Sequence, residues 1–163
     1  MKGLAMAIHE AIGKSDEWYT PKWVFDALNV EFDEDVASPG ALYARDVPAT
    51  LHRSVNSLNH DWKGFVWMNP PYGGRNGLSP WLAKFIQHGN GVCLVPDRTS
   101  APWWQDAVKL MDAVLFVRGK IKFIRPDGSL GKSPAQGSCL MAIGSKGVKA
   151  LKNAEKIGWL TAS

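Results

Sequence analysis

Cysteine is scarce in this 163-residue chain. The two that occur, Cys93 and Cys139, each sit inside an apolar run (GVCLV and GSCLMAIG), and neither CxxC nor a Cys/His cluster accompanies them. That spacing argues against a disulfide or zinc framework and for two small buried thiols. Long hydrophobic runs are missing as well. No stretch approaches the roughly 20 apolar residues of a membrane span, and the opening MKGLAMAIHEAIGKSDE has a short, interrupted apolar patch in place of a signal peptide. A cytosolic protein is expected. The four histidines, His9, His52, His60 and His88, show no metal-ligand spacing, so no metal site is expected. Charged residues make up 21% and hydrophobic residues 45%, which excludes a disordered tail and leaves enough apolar material for one core. Low-complexity segments, linkers and internal repeats are absent, and residues 1–163 are expected to form one domain, with 1–16 as a mobile or accessory leading segment.

Acidic residues thin out along the chain. Residues 1–60 carry 5 basic and 9 acidic side chains, a balance of −4, so the remaining residues carry 14 and 6, a balance of +8. The basic half contains RGKIKFIRPDGSLGK, where Arg118, Lys120, Lys122, Arg125 and Lys132 stand against Asp127 alone. A surface facing phosphates has this footprint, and a solvated hairpin with ordinary lysines is its bland alternative. Tryptophan is abundant, with eight residues, most of them beside Pro, Gly or charged residues, as in the lining of a cleft.

Local signals alternate between strand and helix. Pro21 opens a helix over 21–28 with Thr20 as its expected N-cap, and a short strand follows near 30–36. FVWM at 65–68 reads as a buried strand that Asn69-Pro70-Pro71 stops, because successive prolines cannot continue a ladder. SPWLAKFIQHG reads as a helix capped by Ser79, with Pro80 at its start and Gly89 past its end, leading to the strand 91–95. A helix capped by Thr99 or Ser100 starts near Pro102 and leads to the strand 113–117. VLFVRGKIKF and GSCLMAIG have no helical pattern between them and read as an antiparallel hairpin at the sheet edge. The tail SKGVKALKNAEKIG reads as a short basic helix. The expected fold is therefore α/β: a single doubly wound, Rossmann-like, mostly parallel sheet ending in an antiparallel C-terminal hairpin.

In such sheets the ligand crevice lies outside the carboxyl ends of the strands. The sharpest signal there is Asn69-Pro70-Pro71-Tyr72. An amide, two prolines and an aromatic at a strand terminus make a stiff backbone that offers acceptors beside a flat ring. The Asn69 side-chain oxygen and the Pro70 carbonyl suit the two hydrogens of a planar exocyclic amine such as adenine N6, and Tyr72 suits the base face. A turn whose asparagine merely caps a helix is the alternative. Two other strand ends are polar: the DEDV stretch containing Asp35, whose alternative is a solvated loop, and Asp97-Arg98-Thr99, whose alternative is helix capping by Thr99.

These residues resemble a known family. Asn69-Pro70-Pro71-Tyr72 resembles the catalytic motif of amino-methyltransferases that use S-adenosylmethionine. The wider set of Glu17-Trp18-Tyr19-Thr20-Pro21, Phe32-Asp33-x-Asp35-Val36-Ala37, Asp61-Trp62, VWMNPPYG, LVPDRT and Gly119-Lys120-Ile121-Lys122-Phe123 is similar to the small phage and prophage DNA N6-adenine methyltransferases, over residues 17–143. The resemblance implies that Trp18, Thr20 and Pro21 contact the methionine part of the cofactor, that Asp35 lies near its amino group, and that Ala37 lets the chain pass close by. It implies that Phe123 faces the extruded base opposite Tyr72, an assignment that competes with a place in the core of the hairpin. The glycine-rich FxGxG form is missing, and no clear acidic residue for the ribose follows the next strand, where Asp46 is the nearest.

The function so implied is a DNA adenine N6-methyltransferase: Asn69, Pro70, Pro71 and Tyr72 catalytic, Asn69 also against the cofactor, and Tyr72, Phe123, Lys120, Lys122 and Arg98 against DNA. Double-stranded DNA would be the partner of a monomer or homodimer in a bacterial host, encoded by a phage or prophage. The alternatives are methylation of another planar amino group (cytosine N4, RNA adenine or a protein glutamine) and a catalytically silent DNA-binding module. So short a chain leaves target recognition to loops, with 41–61, 73–79 and 125–137 as candidates.

Overall fold

The computed structural model describes residues 18–40, 46–72 and 77–162. The expected leading segment 1–16 and parts of two candidate recognition loops, 41–45 and 73–76, lie outside the described residues. In chain order the elements are α1 (Lys22–Leu28), β1 (Phe32–Asp35), β2 (Ala49–His52), β3 (Val66–Met68), α2 (Ser79–His88), β4 (Gly91–Pro96), α3 (Pro102–Val108), β5 (Ala113–Val117), β6 (Ser138–Ile143), α4 (Ser145–Asn153) and β7 (Gly158–Ala162). The strands form one sheet in the order β2-β1-β3-β4-β6-β5-β7. Pairing is parallel from β2 through β4 and antiparallel from β4 through β7.

Successive strand residues feed opposite cores, as the two-residue strand period requires. Val92 and Leu94 join α1 and α4 on one face, while Cys93 and Val95 join α2 and α3 on the other. The sheet is thus covered on both faces, in accord with the expected doubly wound class. Cys93 and Cys139 are free and buried, and burial pushes the Cys139 thiol up to about 12, which keeps it protonated and inert.

A central strand reading Phe32-Asp33-Glu34-Asp35 is chemically unusual, and it survives because each carboxylate has a partner. Asp33 Oδ2 accepts from the Phe65 N–H at 2.7 Å, Glu34 pairs with Arg53 Nε and accepts from the Lys63 N–H at 2.6 Å, and Asp35 Oδ2 lies 3.4 Å from His52 Nδ1. All four partners, His52, Arg53, Lys63 and Phe65, lie on β2 or in the segment that links it to β3. DEDV is therefore a strand and not a solvated loop.

Several local expectations are corrected. Thr20 does not cap α1: the cap position is Pro21 in extended conformation, and the Thr20 hydroxyl is engaged by Asn69 instead. Neither Ser79 nor Thr99 nor Ser100 is a cap, since α2 starts from Leu78 and α3 from Ala101, both without a side-chain cap bond. The proline in the first turn of each helix already removes one of the N–H groups a cap would serve. Gly89 ends α2 at φ 74, as expected. The C-terminal pair is antiparallel but not at the edge. β6 inserts between β4 and β5, and β7, which the sequence did not reveal, forms the edge beside β5. Gly119, at φ 73, turns the chain out of β5, and residues 118–137 leave the sheet.

Candidate active site

The chain order creates one switch point. From β1 the chain moves to β2 on one side, then returns to place β3 on the other side of β1. Strand ends diverge at such a point and open a crevice at their carboxyl ends. Asp35 closes β1, paired in register with Trp67, and Asn69 follows the last residue of β3. The two expected site residues are thereby brought together.

Residues 18–20 and 124–131 close the crevice. Tyr19 and Ile124 exchange N–H···O bonds of 2.9 Å in both directions, and Ile124 also bridges Leu130. Gly131 is required at this crossing: a Cβ there would stand 2.7 Å from the Phe123 carbonyl oxygen and 2.8 Å from the Trp18 ring.

Two cavities result. The smaller, about 80 Å³, is lined by Trp18, Tyr19, Thr20, Asp35, Ala37, Asp46, Trp67 and Asn69, together with Arg125. The larger, about 450 Å³, is lined by Trp18, Asn69, Pro70, Tyr72, Phe123, Arg125, Lys132, Ser133 and Pro134. Trp18, Asn69 and Arg125 line both and form their common wall.

Asn69 is held in one orientation. Its Nδ2 donates to Thr20 Oγ1 at 3.0 Å and to the Trp18 carbonyl at 3.4 Å, while its Oδ1 accepts from the Tyr72 hydroxyl at 3.3 Å. A carbonyl can only accept, so the amide nitrogen lies on the Trp18 side and the oxygen opposite. The Tyr72 hydroxyl is also 3.5 Å from the Leu94 carbonyl. Burial of that hydroxyl, with Cys139 and Cys93 adding to the effect, pushes Tyr72 above the ordinary phenol range and keeps it a neutral donor, although the residue as a whole is 40% exposed.

Asp35 is 3% exposed, and loss of water raises its carboxyl from 3.8 to about 6 against the opposing effects of His52, the Ala37 N–H and Ser38. No residue from 36 to 39 has a positive φ, so the turn after β1 is made without the glycines of the FxGxG form.

Of the residues singled out from the sequence, Trp18, Thr20, Asp35, Ala37, Asn69, Pro70, Tyr72 and Phe123 line one or both cavities. Phe123 does so while also packing against the core. Pro21 is buried at the start of α1 and Pro71 is exposed, and neither lines a cavity. Lys120, Lys122 and Arg98 are exposed outside both linings, and the Lys120 ammonium donates to the Ala135 carbonyl at 3.0 Å. Arg125 and Lys132 line the larger cavity; the basic run contained them, but spacing alone could not set them above their neighbours. The His52 partner of Asp35 had no sequence signal at all, because only strand pairing brings it there.

No curated protein and no solved structure matches this chain. The family model described as DNA N-6-adenine-methyltransferase (Dam) matches residues 9–161, nearly the whole length, and the chain belongs to that family.

Proposed function

We propose that this chain transfers a methyl group from S-adenosylmethionine to the N6 amine of an adenine extruded from duplex DNA. One observation carries the reading: Asn69 lies in the wall shared by two cavities, with its acceptor oxygen turned away from the partners of its nitrogen. A group in the smaller cavity and a group in the larger one would meet beside that oxygen.

The side chains of the smaller cavity fit a ligand that is cationic at one end and apolar elsewhere. Asp35 and Asp46 supply carboxylates, and Trp18, Trp67 and Ala37 supply apolar walls. Asp35 would hold the ammonium and Asp46 the ribose hydroxyls. At about 80 Å³ the space is narrow beside the several hundred Å³ usual for small-molecule sites, so its walls would have to part to admit a nucleoside-bearing ligand. When bound, the cofactor supplies a methyl group on a sulfonium centre.

The larger cavity offers Tyr72 and Phe123 for the two faces of a planar base, an arrangement common for nucleotides taken out of a duplex. The adenine amine is a poor nucleophile, since its lone pair is delocalised into the ring. Asn69 Oδ1 and the Pro70 carbonyl would accept its hydrogens and raise electron density on nitrogen, the atom that would take the methyl group. Sulfur would keep the electron pair of its bond to that group, and the proton displaced from nitrogen would leave afterwards. Catalysis on this reading is mostly positioning and oriented dipoles. Arg125 and Lys132 supply positive charge for the phosphates flanking the base.

The test is transfer of labelled methyl to unmethylated duplex DNA, followed by digestion to nucleosides and mass analysis. N6-methyladenine is the expected product, absent with Asn69→Ala while cofactor binding persists. Label in RNA, in cytosine or in protein glutamine would redirect the substrate assignment, and cofactor binding without any transfer would favour a silent module.

A further inference from the structure

We infer that Thr20 is the positioning residue for Asn69: its hydroxyl holds the amide in place beside the Trp18 carbonyl, which keeps Oδ1, and not Nδ2, toward the incoming amine. This rests on the reading that Asn69 accepts hydrogen bonds from the substrate, and it gives Thr20 a role other than the cofactor contact that family resemblance implies.

An asparagine amide can be turned through 180° with little change of shape, and the two orientations present opposite chemistry. With Oδ1 toward the substrate, an amine finds an acceptor. With Nδ2 there, donor meets donor and the site repels the group it has to bind. Something must choose, and a strand terminus followed by two prolines fixes the backbone without fixing the amide.

The choice is made from residues 18–20. The Trp18 carbonyl lies 3.4 Å from Nδ2, at the long end of the hydrogen-bond range, whereas Thr20 Oγ1 lies at 3.0 Å, well within it. The carbonyl, which can only accept, decides which end of the amide faces it; Thr20, whose hydroxyl could donate or accept, is the closer partner and holds the amide there. It is 4% exposed and does not cap α1, and the Asn69 amide is the partner its hydroxyl has. Buried hydroxyls seek partners, so the pair stabilises both ends. The segment cannot drift, because Tyr19 is bonded on both its N–H and its carbonyl to Ile124. On the far side the Tyr72 hydroxyl, which donates to Oδ1 at 3.3 Å, also has the Leu94 carbonyl within 3.5 Å. It can turn to that carbonyl and release Oδ1 when a substrate amine arrives.

Thr20→Val keeps the shape and removes the acceptor, and Thr20→Ser restores it. Single-turnover methyl transfer to duplex DNA is measured at saturating S-adenosylmethionine, with binding of S-adenosylmethionine followed separately by calorimetry. The valine variant is expected to slow transfer by about tenfold, the scale of one lost hydrogen bond at a reacting group. The serine variant is expected to recover most of that loss, and both should bind the cofactor nearly as the parent does. Unchanged transfer in Thr20→Val overturns the inference. So does weakened cofactor binding with transfer intact at saturation, which would make Thr20 a cofactor contact. A folding-independent check uses the parent protein: magnetisation transfer in NMR from the Asn69 Nδ2 protons to the Thr20 methyl is expected, and its absence would also overturn the assignment. Asn69→Ala separates the two levels, since transfer surviving in that variant removes the reading of Asn69 itself, whatever Thr20 does.

Discussion

Asp35 sits in an unfavourable position that the proposed function uses, and the cost of keeping it can be measured. Burial raises its carboxyl from 3.8 to about 6, with His52 Nδ1 at 3.4 Å only partly offsetting the loss of water. At 1.4 kcal/mol per tenfold, that gap means the ionised carboxylate disfavours the folded state by about 3 kcal/mol. Between 3.8 and about 6 the folded chain holds a proton that the unfolded chain has released. The group's stabilising contribution is therefore complete below 3.8 and lost as pH rises through about 6. Asp35→Asn removes the titration with little change of shape. Stability of the variant minus that of the parent, from urea unfolding, should rise by about 2 kcal/mol between about pH 4.5 and about pH 7.5, the part of the total that falls in that range. A difference independent of pH would refute the argument. A cation bound beside Asp35 favours its ionised form, so S-adenosylmethionine binding near pH 6 should release protons. Calorimetry in buffers of different ionisation heat reads that release directly, and Asp35→Asn should abolish it and weaken binding.

Gly131→Ala would place a methyl 2.8 Å from the Trp18 ring and 2.7 Å from a backbone carbonyl that cannot retreat, so cofactor affinity and transfer should both fall. Calorimetry showing unaltered binding would contradict the role of that crossing. Replacing Arg125 and Lys132 together with alanine should weaken DNA binding and lower the slope of log affinity against log salt by about 2, with Lys120 and Lys122 mattering less. Anisotropy titrations across salt concentrations test the ranking, and the reverse order would return the DNA face to Lys120 and Lys122. Glu34→Ala should cost about 3 kcal/mol in urea unfolding, because it strands the Arg53 guanidinium and the Lys63 N–H that a fully buried carboxylate now satisfies. A loss under about 1 kcal/mol would mean that water reaches both donors.

The turn after β1 is built without the glycine-rich form. Val36 is buried and bonds its N–H to the Trp67 carbonyl, and Ala37 reaches the cavity wall with a small side chain and ordinary backbone angles. The cationic face shows the opposite case. Five basic residues within 15 positions looked alike in sequence, yet the departure of the chain from the sheet at Gly119 separates them. Lys120 and Lys122 lie outside the cavities, while Arg125 and Lys132 border the larger one.

What the sequence by itself determined are the features set by local physics. One proline pair ends β3, apolar runs make β4 and β5, the periodic helices fall between strands, and Asn69-Pro70-Pro71-Tyr72 falls at a strand terminus. Each depends on the conformational limits of a few adjacent residues, which the chain carries with it. What only the tertiary structure decided are relations between distant segments. Strand order put β6 inside the sheet and β7 at its edge, and placed His52 and Arg53 against the carboxylates of β1. The same assembly placed Thr20, 49 positions before Asn69, against the Asn69 amide. No periodicity encodes such pairings, because they are selected by the joint burial of both faces of the sheet and by the need of each buried polar group for a partner.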